Sequence, residues 1–275
     1  MQKNIKSLEI DSHIEDNNPD YSICTLVTNK QQYIDMLESI KDAGFTEERC
    51  EFLYIDNTEK NKYDAYSGVK QFFNLAKGKY IILCHQDLVF HKDKIDKLDT
   101  VIEEISQKDP NWALLGNAGG SVPGQQAYLL TEFDGNHLER GKLPCKVNSL
   151  DENFILVKKS AHIGISNDLH GFHMYGTDLC MIANILGYSC YVVDFHLWHL
   201  GGASTEAPKI KGKHATNTFD TMRKKIIDKY QSVFSPRFIQ TTCTIFYVSN
   251  SKIKNILFNN KHIFSIQKRK NKWFK

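Results

Sequence analysis

The sequence predicts an α/β protein with a doubly wound, mostly parallel sheet, helices on both faces and a C-terminal helical and basic extension. Two observations predict this fold class. Short apolar runs of strand length alternate with stretches whose apolar residues recur every three or four positions, as on one face of a helix. Polar residues directly follow several of the apolar runs, as they do at the carboxyl edge of open α/β sheets, where ligands bind.

The alternation is clearest between residues 20 and 118. We predict strands from Tyr21 (YSICTLVTN) and at Glu51–Ile55, Tyr80–Cys84 and Trp112–Leu115. Helical patterns occupy the intervals at Tyr33–Ala43, Val69–Ala76 and Ile95–Ile105. Gly44 follows the first helix, at the position where a C-cap glycine is common. The resulting β-α-β-α-β-α-β order favours a doubly wound sheet with right-handed crossovers.

The second half of the chain is less regular. Gly116–Gly141 is rich in glycine, and we predict an irregular, mobile loop there. We predict strands at Asn148–Lys158 and Tyr188–Val193, a helix at Leu179–Leu186 that stops at Gly187, and a last amphipathic helix from Phe219 to Tyr230. We therefore divide the chain into a polar segment (1–19), a main domain (20–210, with halves 20–118 and 119–210) and a C-terminal helix with a basic tail (211–275).

Composition limits the class of protein. The 275 residues, 41% of them apolar, suffice for one substantial core but are few for two independent enzymes. The sequence has no apolar run of about twenty residues, and its start is polar and acidic, so we expect a cytosolic protein. Seven cysteines without a CxxC pair indicate reduced packing residues.

Positive charge is concentrated at the C-terminal end. The net charge is only +3, yet residues 251–275 contain eight Lys or Arg and no acid, interleaved with apolar side chains. This pattern is typical of a segment that lies on an anionic membrane surface and equally of a solvated end. We expect contact with the inner face of a membrane through this tail, and no nucleic-acid partner because the rest of the chain is acidic.

The triplet His85-Gln86-Asp87 is the first candidate for chemistry. It ends an apolar strand, and because alternate residues share a face, His85 and Asp87 can reach one point in front of the sheet edge. A purely structural alternative stays open, in which Asp87 caps a turn and His85 is a satisfied edge histidine.

In the order and spacing of its segments, the chain resembles the inverting GT-A glycosyltransferases of family two, and in detail the streptomycin-biosynthesis-type glycosyltransferase-like domain. The resemblance covers roughly residues 20–205. The segments that carry it are YSICTLVTN, FLYIDNT, FFNLAKGKY, IILCHQD, FHMYGTDLCMIANILGYSCYVV and WHLGGAS.

The resemblance implies a GT-A-type fold whose first half, residues 20–118, binds the nucleotide. Asp56 and Asn57 would contact the nucleoside of a nucleotide sugar, with Thr25, Val27 and Gln86 completing the donor site. The family's D-x-D motif appears here as His85-Gln86-Asp87, and the family's metal-binding histidine corresponds to His199 in LWHLGG. The cofactor would be Mn²⁺ or Mg²⁺; losing one carboxylate weakens the site and favours Mn²⁺, which accepts imidazole better. His196 is a neighbouring alternative ligand.

The resemblance also implies a carboxylate base at the start of the helix beneath the acceptor, and Asp178 in YGTDLC occupies that position. The family more often has an acidic pair there, whereas the neighbour here is Thr177. Asp178 could equally be a helix N-cap, and Asp168 is the second candidate for the base. Asp151 and Glu152 could bind acceptor hydroxyls or merely cap a strand.

The implied activity is transfer of a sugar from a nucleotide diphosphate sugar, most often a UDP-sugar in this family, to a hydroxyl of a glycan or lipid-linked acceptor. Three alternatives remain: a non-catalytic sugar-nucleotide or glycan-binding relic, a metal-dependent hydrolase or nucleotidyltransferase using His85, Asp87 and His91, and a zinc site at His170 and His173. No G-x-G-x-x-G or P-loop follows the first strand, which disfavours dinucleotide oxidoreductases and P-loop enzymes.

Overall fold

The structure is a computed structural model that describes residues 18–201, 219–233 and 236–259. The strands in these ranges are β1 (Tyr21–Val27), β2 (Cys50–Asp56), β3 (Tyr80–Cys84), β4 (Leu88–Val89), β5 (Trp112–Gly116), β6 (Ala118–Gly120), β7 (Gln126–Glu132), β8 (His137–Arg140), β9 (Cys145–Val147), β10 (Ser149–Leu150), β11 (Phe154–Lys158), β12 (Ser189–Val192), β13 (Leu197–His199), β14 (Arg237–Gln240) and β15 (Ile245–Val248). The helices are α1 (Lys30–Asp42), α2 (Ala65–Leu75), α3 (Ile95–Lys108), α4 (Tyr175–Ile185), α5 (Phe219–Tyr230) and α6 (Lys252–Asn259), and a 3₁₀ turn covers Lys159–Ala161.

The main sheet has seven strands in the order β2-β1-β3-β11-β5-β12-β9. Strands β2, β1, β3, β5 and β12 run in the same direction, while β11 is antiparallel to both of its neighbours and β9 is antiparallel to β12. The predicted α/β class with a mostly parallel sheet is confirmed. The reversed β11 comes from the second half of the chain, so the two predicted halves share one sheet.

Helices cover both faces of this sheet. Met36 of α1 and Leu98 of α3 belong to one buried cluster, and Phe72 of α2 and Leu179 of α4 belong to the other. Successive strand residues point to opposite faces and so enter different clusters, as Ile82 and Leu83 do in β3. The periodicity in the sequence therefore predicted both the elements and the two-sided core.

The glycine-rich segment Gly116–Gly141 is largely ordered as sheet, so the prediction of an irregular loop was wrong. It contributes β6, β7 and β8 to a second sheet with the order β10-β6-β7-β13-β4, in which β8 pairs with β7. The glycines serve close packing here: a Cβ on Gly120 would lie 1.9 Å from the carbonyl oxygen of Gln240. The region predicted as one strand at Asn148–Lys158 is divided between β10 and β11, next to the short β9.

The C-terminal elements pack against the body of the protein. Helix α5 is confirmed at the predicted residues, and it is followed by an antiparallel hairpin of β14 and β15 that sequence reasoning missed. Ser149 donates a hydrogen bond of 2.6 Å to the carbonyl oxygen of Gln240, which ties the hairpin to β10. Every helix in the described ranges is too short or too polar to cross a bilayer. Most of the segment 1–19, residues 211–218 and the tail from residue 260 lie outside the described residues.

Candidate active site

The candidate site lies at the carboxyl ends of β1 and β3, where the chain order in the sheet reverses. Strand β2 follows β1 on one side and β3 lies on the other, which is the position where open α/β sheets form a ligand crevice. Gln86, just after β3, holds this edge together. Its Oε1 accepts hydrogen bonds from the backbone N–H groups of Thr28 (2.7 Å) and Asn29 (3.0 Å), and its Nε2 donates to Gln32 Oε1 (3.0 Å). The amide of Gln86 is therefore engaged in positioning the two loops.

His85, Asp87 and His199 meet at this edge, as the sequence predicted. Each offers one ligand atom, and these atoms all lie within 4.8 Å of one another, a group that could hold a metal ion. Asp87 Oδ1 is 3.4 Å from His199 Nε2 and 4.0 Å from His85 Nδ1. The approach of His199 follows from the second sheet, because β13 pairs with β4 and the N–H of Leu200 donates to the carbonyl oxygen of Asp87 at 2.9 Å.

The surroundings of Asp87 fit a cation. Its Oδ1 is buried and accepts no hydrogen bond from the described residues, which is costly for a carboxylate oxygen unless a positive ligand binds there. A Cβ on Gly201 would lie 2.1 Å from Asp87 Oδ2, so only glycine leaves this space open. Burial would raise the pKa of Asp87, but the two histidines hold it below its usual value. Burial would lower the pKa of His199, but the Asp87 carboxylate raises it above its usual value. One carboxylate and two imidazoles suit Mn²⁺ better than Mg²⁺.

A cleft of about 420 Å³ opens beside this cluster. Apolar and polar side chains both line it. The lining residues include Leu26, Thr28, Val69, Phe72, His85, Gln86, Asp87, Glu152, Phe172, His173 and Tyr175. A cleft of this size and composition can enclose part of a small polar ligand.

Glu152 is the carboxylate that lines this cleft together with Asp87. It lies between β10 and β11, and its Oε1 accepts a hydrogen bond of 3.3 Å from the N–H of Gly176 in the first turn of α4. Burial and then the neighbouring Asp151 carboxylate raise the pKa of Glu152 to about 8. A carboxyl group with such a pKa, in a cleft and at a helix N-terminus, can exchange a proton near neutral pH.

Asp178, the predicted base, does not line this cleft. It is fully buried in α4. Its Oδ2 accepts the N–H of Ser166 (2.9 Å), and its Oδ1 accepts the hydroxyls of Ser166 (2.7 Å) and Tyr230 (2.5 Å). Burial raises the pKa of Asp178, although these hydrogen bonds act in the opposite direction. Asp178 therefore connects α4 with α5, and its general-base role stays a prediction. Its own helix starts at Tyr175, with Met174 as the cap residue and no side-chain cap.

The other predicted residues discussed next do not line the cleft. Asp168 is exposed and pairs with Lys229 on α5. Asp56 ends β2, one strand away from the cleft; its hydrogen bonds from Thr58 and its pairing with Lys30 lower its pKa to about 2. The remaining two donor-site residues and Asn57 are buried: Thr25 contacts the Cys84 thiol, Val27 is in the core, and Asn57 organises its own loop through Tyr63.

The alternative histidines are not part of the cluster around Asp87. His196 is buried, and its Nε2 lies 2.9 Å from Thr131 Oγ1 in β7. His170 pairs with Asp64 at 3.6 Å, and His173 lines the cleft. His91 lies against Trp198. Sequence reasoning singled out Glu152 only as one of two acids before a strand. Its position on the cleft follows from the close approach of β10 to the start of α4, where a Cβ on Gly176 would lie 2.5 Å from the carbonyl oxygen of Leu150.

No family model matches this sequence. The ATP synthase subunits region ORF 6 protein of Fuscovulum blasticum is 37% identical over 226 residues, which are 80% of this chain and 86% of that protein. Among solved structures, the mannosyltransferase PcManGT from Pyrobaculum calidifontis, in complex with GDP-Man and Mn²⁺, aligns with a TM-score of 0.46 and 11% identity over 68% of this chain and 59% of its own. GalNAc-T7 with UDP, GalNAc and Mn²⁺ aligns with a TM-score of 0.47 and 9% identity, over 67% of this chain and 44% of its own.

This chain thus spans less than two thirds of either solved protein, and at these scores the likeness concerns only the general arrangement of strands and helices. The similarity to the Fuscovulum blasticum protein is stronger evidence of relationship, because it extends over most of both chains. The chain belongs to the same protein family as the ATP synthase subunits region ORF 6 protein of Fuscovulum blasticum.

Proposed function

We propose that this protein is a metal-dependent glycosyltransferase that moves a sugar from a nucleotide diphosphate sugar to an acceptor hydroxyl. One observation carries the proposal: His85, Asp87 and a carboxyl group with a raised pKa, Glu152, line one cleft at the switch point of an α/β sheet, and His199 lies 3.4 Å from Asp87 to complete a possible cation site. A cation site and a proton acceptor are the two groups that such a transfer needs.

The cation would be held by Asp87, His85 and His199, and Mn²⁺ fits this donor set best. When bound, it supplies positive charge that neutralises the departing diphosphate. The protein's own part is to fix the ligands. The ladder between β13 and β4 places His199, and Gln86 fixes the loop that carries Asp87. Gly201 leaves room beside the carboxylate.

Glu152 is the group that we propose as general base. In its ionised form it accepts the proton of the acceptor hydroxyl. The hydroxyl oxygen forms a bond to the anomeric carbon of the sugar while the bond from that carbon to the diphosphate oxygen breaks, and the nucleoside diphosphate leaves with the electron pair. Displacement in line inverts the anomeric configuration. The N–H of Gly176 stabilises the ionised carboxylate at the α4 N-terminus and orients it.

The donor is proposed to be a UDP-sugar, with its nucleoside toward Asp56 and Asn57. Asp56 pairs in register with Val27 of β1, so its carboxylate lies on the same sheet edge as Thr28 and Gln86. Its low pKa keeps Asp56 ionised and able to accept hydrogen bonds from a base or a ribose. The acceptor is proposed to be a glycan or lipid-linked saccharide.

The test is release of nucleoside diphosphate from a panel of nucleotide sugars, with and without Mn²⁺. We expect one donor to be hydrolysed slowly in a Mn²⁺-dependent way, since an acceptor hydroxyl can be replaced by water. Asp87→Asn should lose this activity, whereas Asp134→Asn, an exposed carboxylate on the β7–β8 turn, should keep it. Donor binding without turnover of any donor would indicate a binding relic, and equal activity of both variants would refute the proposed site.

A further inference from the structure

Helix α6 has its apolar face turned away from the protein. Ile253, Ile256 and Leu257 stand at i, i+3 and i+4, so they share one face, and they are 71%, 69% and 60% exposed. The residue that points inward is polar: Asn255 is only 6% exposed. A surface helix of a water-soluble domain normally has the opposite orientation.

Side-chain hydrogen bonds fix this orientation. Asn255 Nδ2 donates to the carbonyl oxygen of Ser249 at 2.8 Å, and its Oδ1 accepts the Ser249 hydroxyl at 2.9 Å. Asn259 Oδ1 accepts the N–H of Tyr247 at 2.8 Å, and its Nδ2 donates to the carbonyl oxygen of Tyr247 at 2.7 Å. Turning the apolar face inward would break all four bonds and bury unpaired polar groups.

An aromatic contact strengthens this attachment. Phe258, on the side of α6 next to the hairpin, packs against Tyr247 and Phe238, with ring centroids 4.7 Å and 5.9 Å away. The helix is therefore anchored by two asparagines and one aromatic ring. Its aliphatic face is built to be presented outward.

The charge around this face is strongly positive. Lys252 and Lys254 flank Ile253 and are exposed. Lys224 of α5 lines the groove between α5 and α6 together with Ile256. The described residues from Phe219 to Asn259 contain seven Lys or Arg and two Asp. An outward aliphatic stripe surrounded by cations complements an anionic lipid surface, in which apolar chains lie beneath negatively charged headgroups.

We propose that α6 is a membrane-docking element, with Ile253, Ile256 and Leu257 inserted at the boundary between headgroups and acyl chains of an anionic bilayer. Lys252 and Lys254 bind lipid phosphates at the rim of the inserted face. Three aliphatic side chains and a few cations give reversible attachment that weakens as salt rises. This proposal does not depend on the proposed glycosyl transfer.

The experiment is flotation of the full chain with vesicles of phosphatidylcholine and phosphatidylglycerol, compared with vesicles of phosphatidylcholine alone. We expect binding to the anionic vesicles only. The combined variant Ile253→Ser, Ile256→Ser and Leu257→Ser should bind at least about tenfold more weakly. The matched control is Leu75→Ser on α2, because Leu75 is 62% exposed and lies on another surface; it should bind like the wild type. Circular dichroism should show an unchanged fold for both variants, since the substituted side chains are mostly in solvent.

Three outcomes would overturn the proposal. One is failure of the wild type to bind anionic vesicles at low salt. A second is equal binding by the wild type and the combined variant, which would assign any binding to another part of the chain. The third is self-association of the wild type in sedimentation velocity, abolished in the combined variant, without vesicle binding by either; that result would make a second copy of the chain the occupant of this face.

Discussion

Replacing Glu152 by Gln is the sharpest test of the proposed mechanism. The substitution keeps the size of the side chain and an oxygen that can accept the Gly176 N–H, but it removes the group that takes the proton. General-base catalysis contributes about a hundredfold to ten-thousandfold, so kcat should fall by that range while donor affinity changes little.

The pH dependence follows from the raised pKa. With a pKa of about 8, only about one Glu152 in ten is ionised at pH 7, because each pH unit below the pKa costs about a factor of ten. The wild-type rate should therefore rise about tenfold per pH unit up to pH 8 and then level off. The Gln variant should lose this slope.

A neighbouring variant provides the control. Asp151→Asn removes the nearby charge that helps to raise the pKa of Glu152, and its amide oxygen can still accept the hydrogen bond from the N–H of Asn153. Its rate profile should shift to lower pH with the same plateau. The assay is the initial rate of nucleoside diphosphate release by all three proteins, measured from roughly pH 5 to roughly pH 9. A Gln variant with a wild-type slope would show that another group takes the proton.

Stability gives an independent check of the same carboxyl group. Because the folded-state pKa of Glu152 lies above the usual value, the protonated form favours the folded state at low pH, and this contribution is lost as pH rises through about 8. Between the usual pKa of 4.5 and about 8, the melting temperature of the wild type should therefore fall relative to that of Glu152→Gln. Parallel melting curves from acid to alkaline pH would mean that the pKa of Glu152 is ordinary.

Three further predictions concern the cation site and the α4–α5 contact. Asp87→Asn should weaken Mn²⁺ binding in calorimetry at least about tenfold, because it removes the carboxylate charge of the cluster; undiminished affinity would exclude this site. Gly201→Ala should weaken it as well, since the added Cβ would meet the Asp87 carboxylate, whereas Gly164→Ala, with nothing within 4 Å of its Cβ, should not. Asp178→Asn should lower the melting temperature by roughly 5–10 °C through weakened hydrogen bonds to Ser166 and Tyr230, with proton transfer retained. Normal stability with lost turnover would instead support the predicted role of Asp178 as the base.

The elements that sequence reasoning predicted best are those determined locally. Strand β3 is a short apolar run, α3 has one apolar stripe, and Gly44 and Gly187 end helices with φ of 91° and 85°. These features depend on a few neighbouring residues, so pattern analysis finds them. The antiparallel insertion of β11 between β3 and β5 depends instead on pairing between distant segments, and an apolar run such as FILVK does not encode its direction.

The same distinction applies to the second sheet. Glycine signalled a loop in Gly116–Gly141, but at Gly119 and Gly120 the missing side chain allows backbone contact with Ser149 and Gln240. Both partners are far away in sequence. A glycine needed for close packing and a glycine in a turn look alike until the partner is known.

His85 and Asp87 were predictable as neighbours because they directly follow β3 and alternate residues share a face. His199 was predicted from the family resemblance, and the pairing of β13 with β4 in the second sheet brings it to Asp87. The proposed base, Glu152, was harder to predict because it lies far in sequence from the helix N-terminus that it contacts. Asp178 is in α4 itself, but helical geometry turns it toward Ser166 and Tyr230, away from the cleft. Glu152 precedes the helix by a whole strand and accepts the N–H of Gly176 from the short connection between β10 and β11. The position of Glu152 thus depends on a contact between distant segments, which no local pattern in the sequence records, and the general-base role of Asp178 stays a prediction beside it.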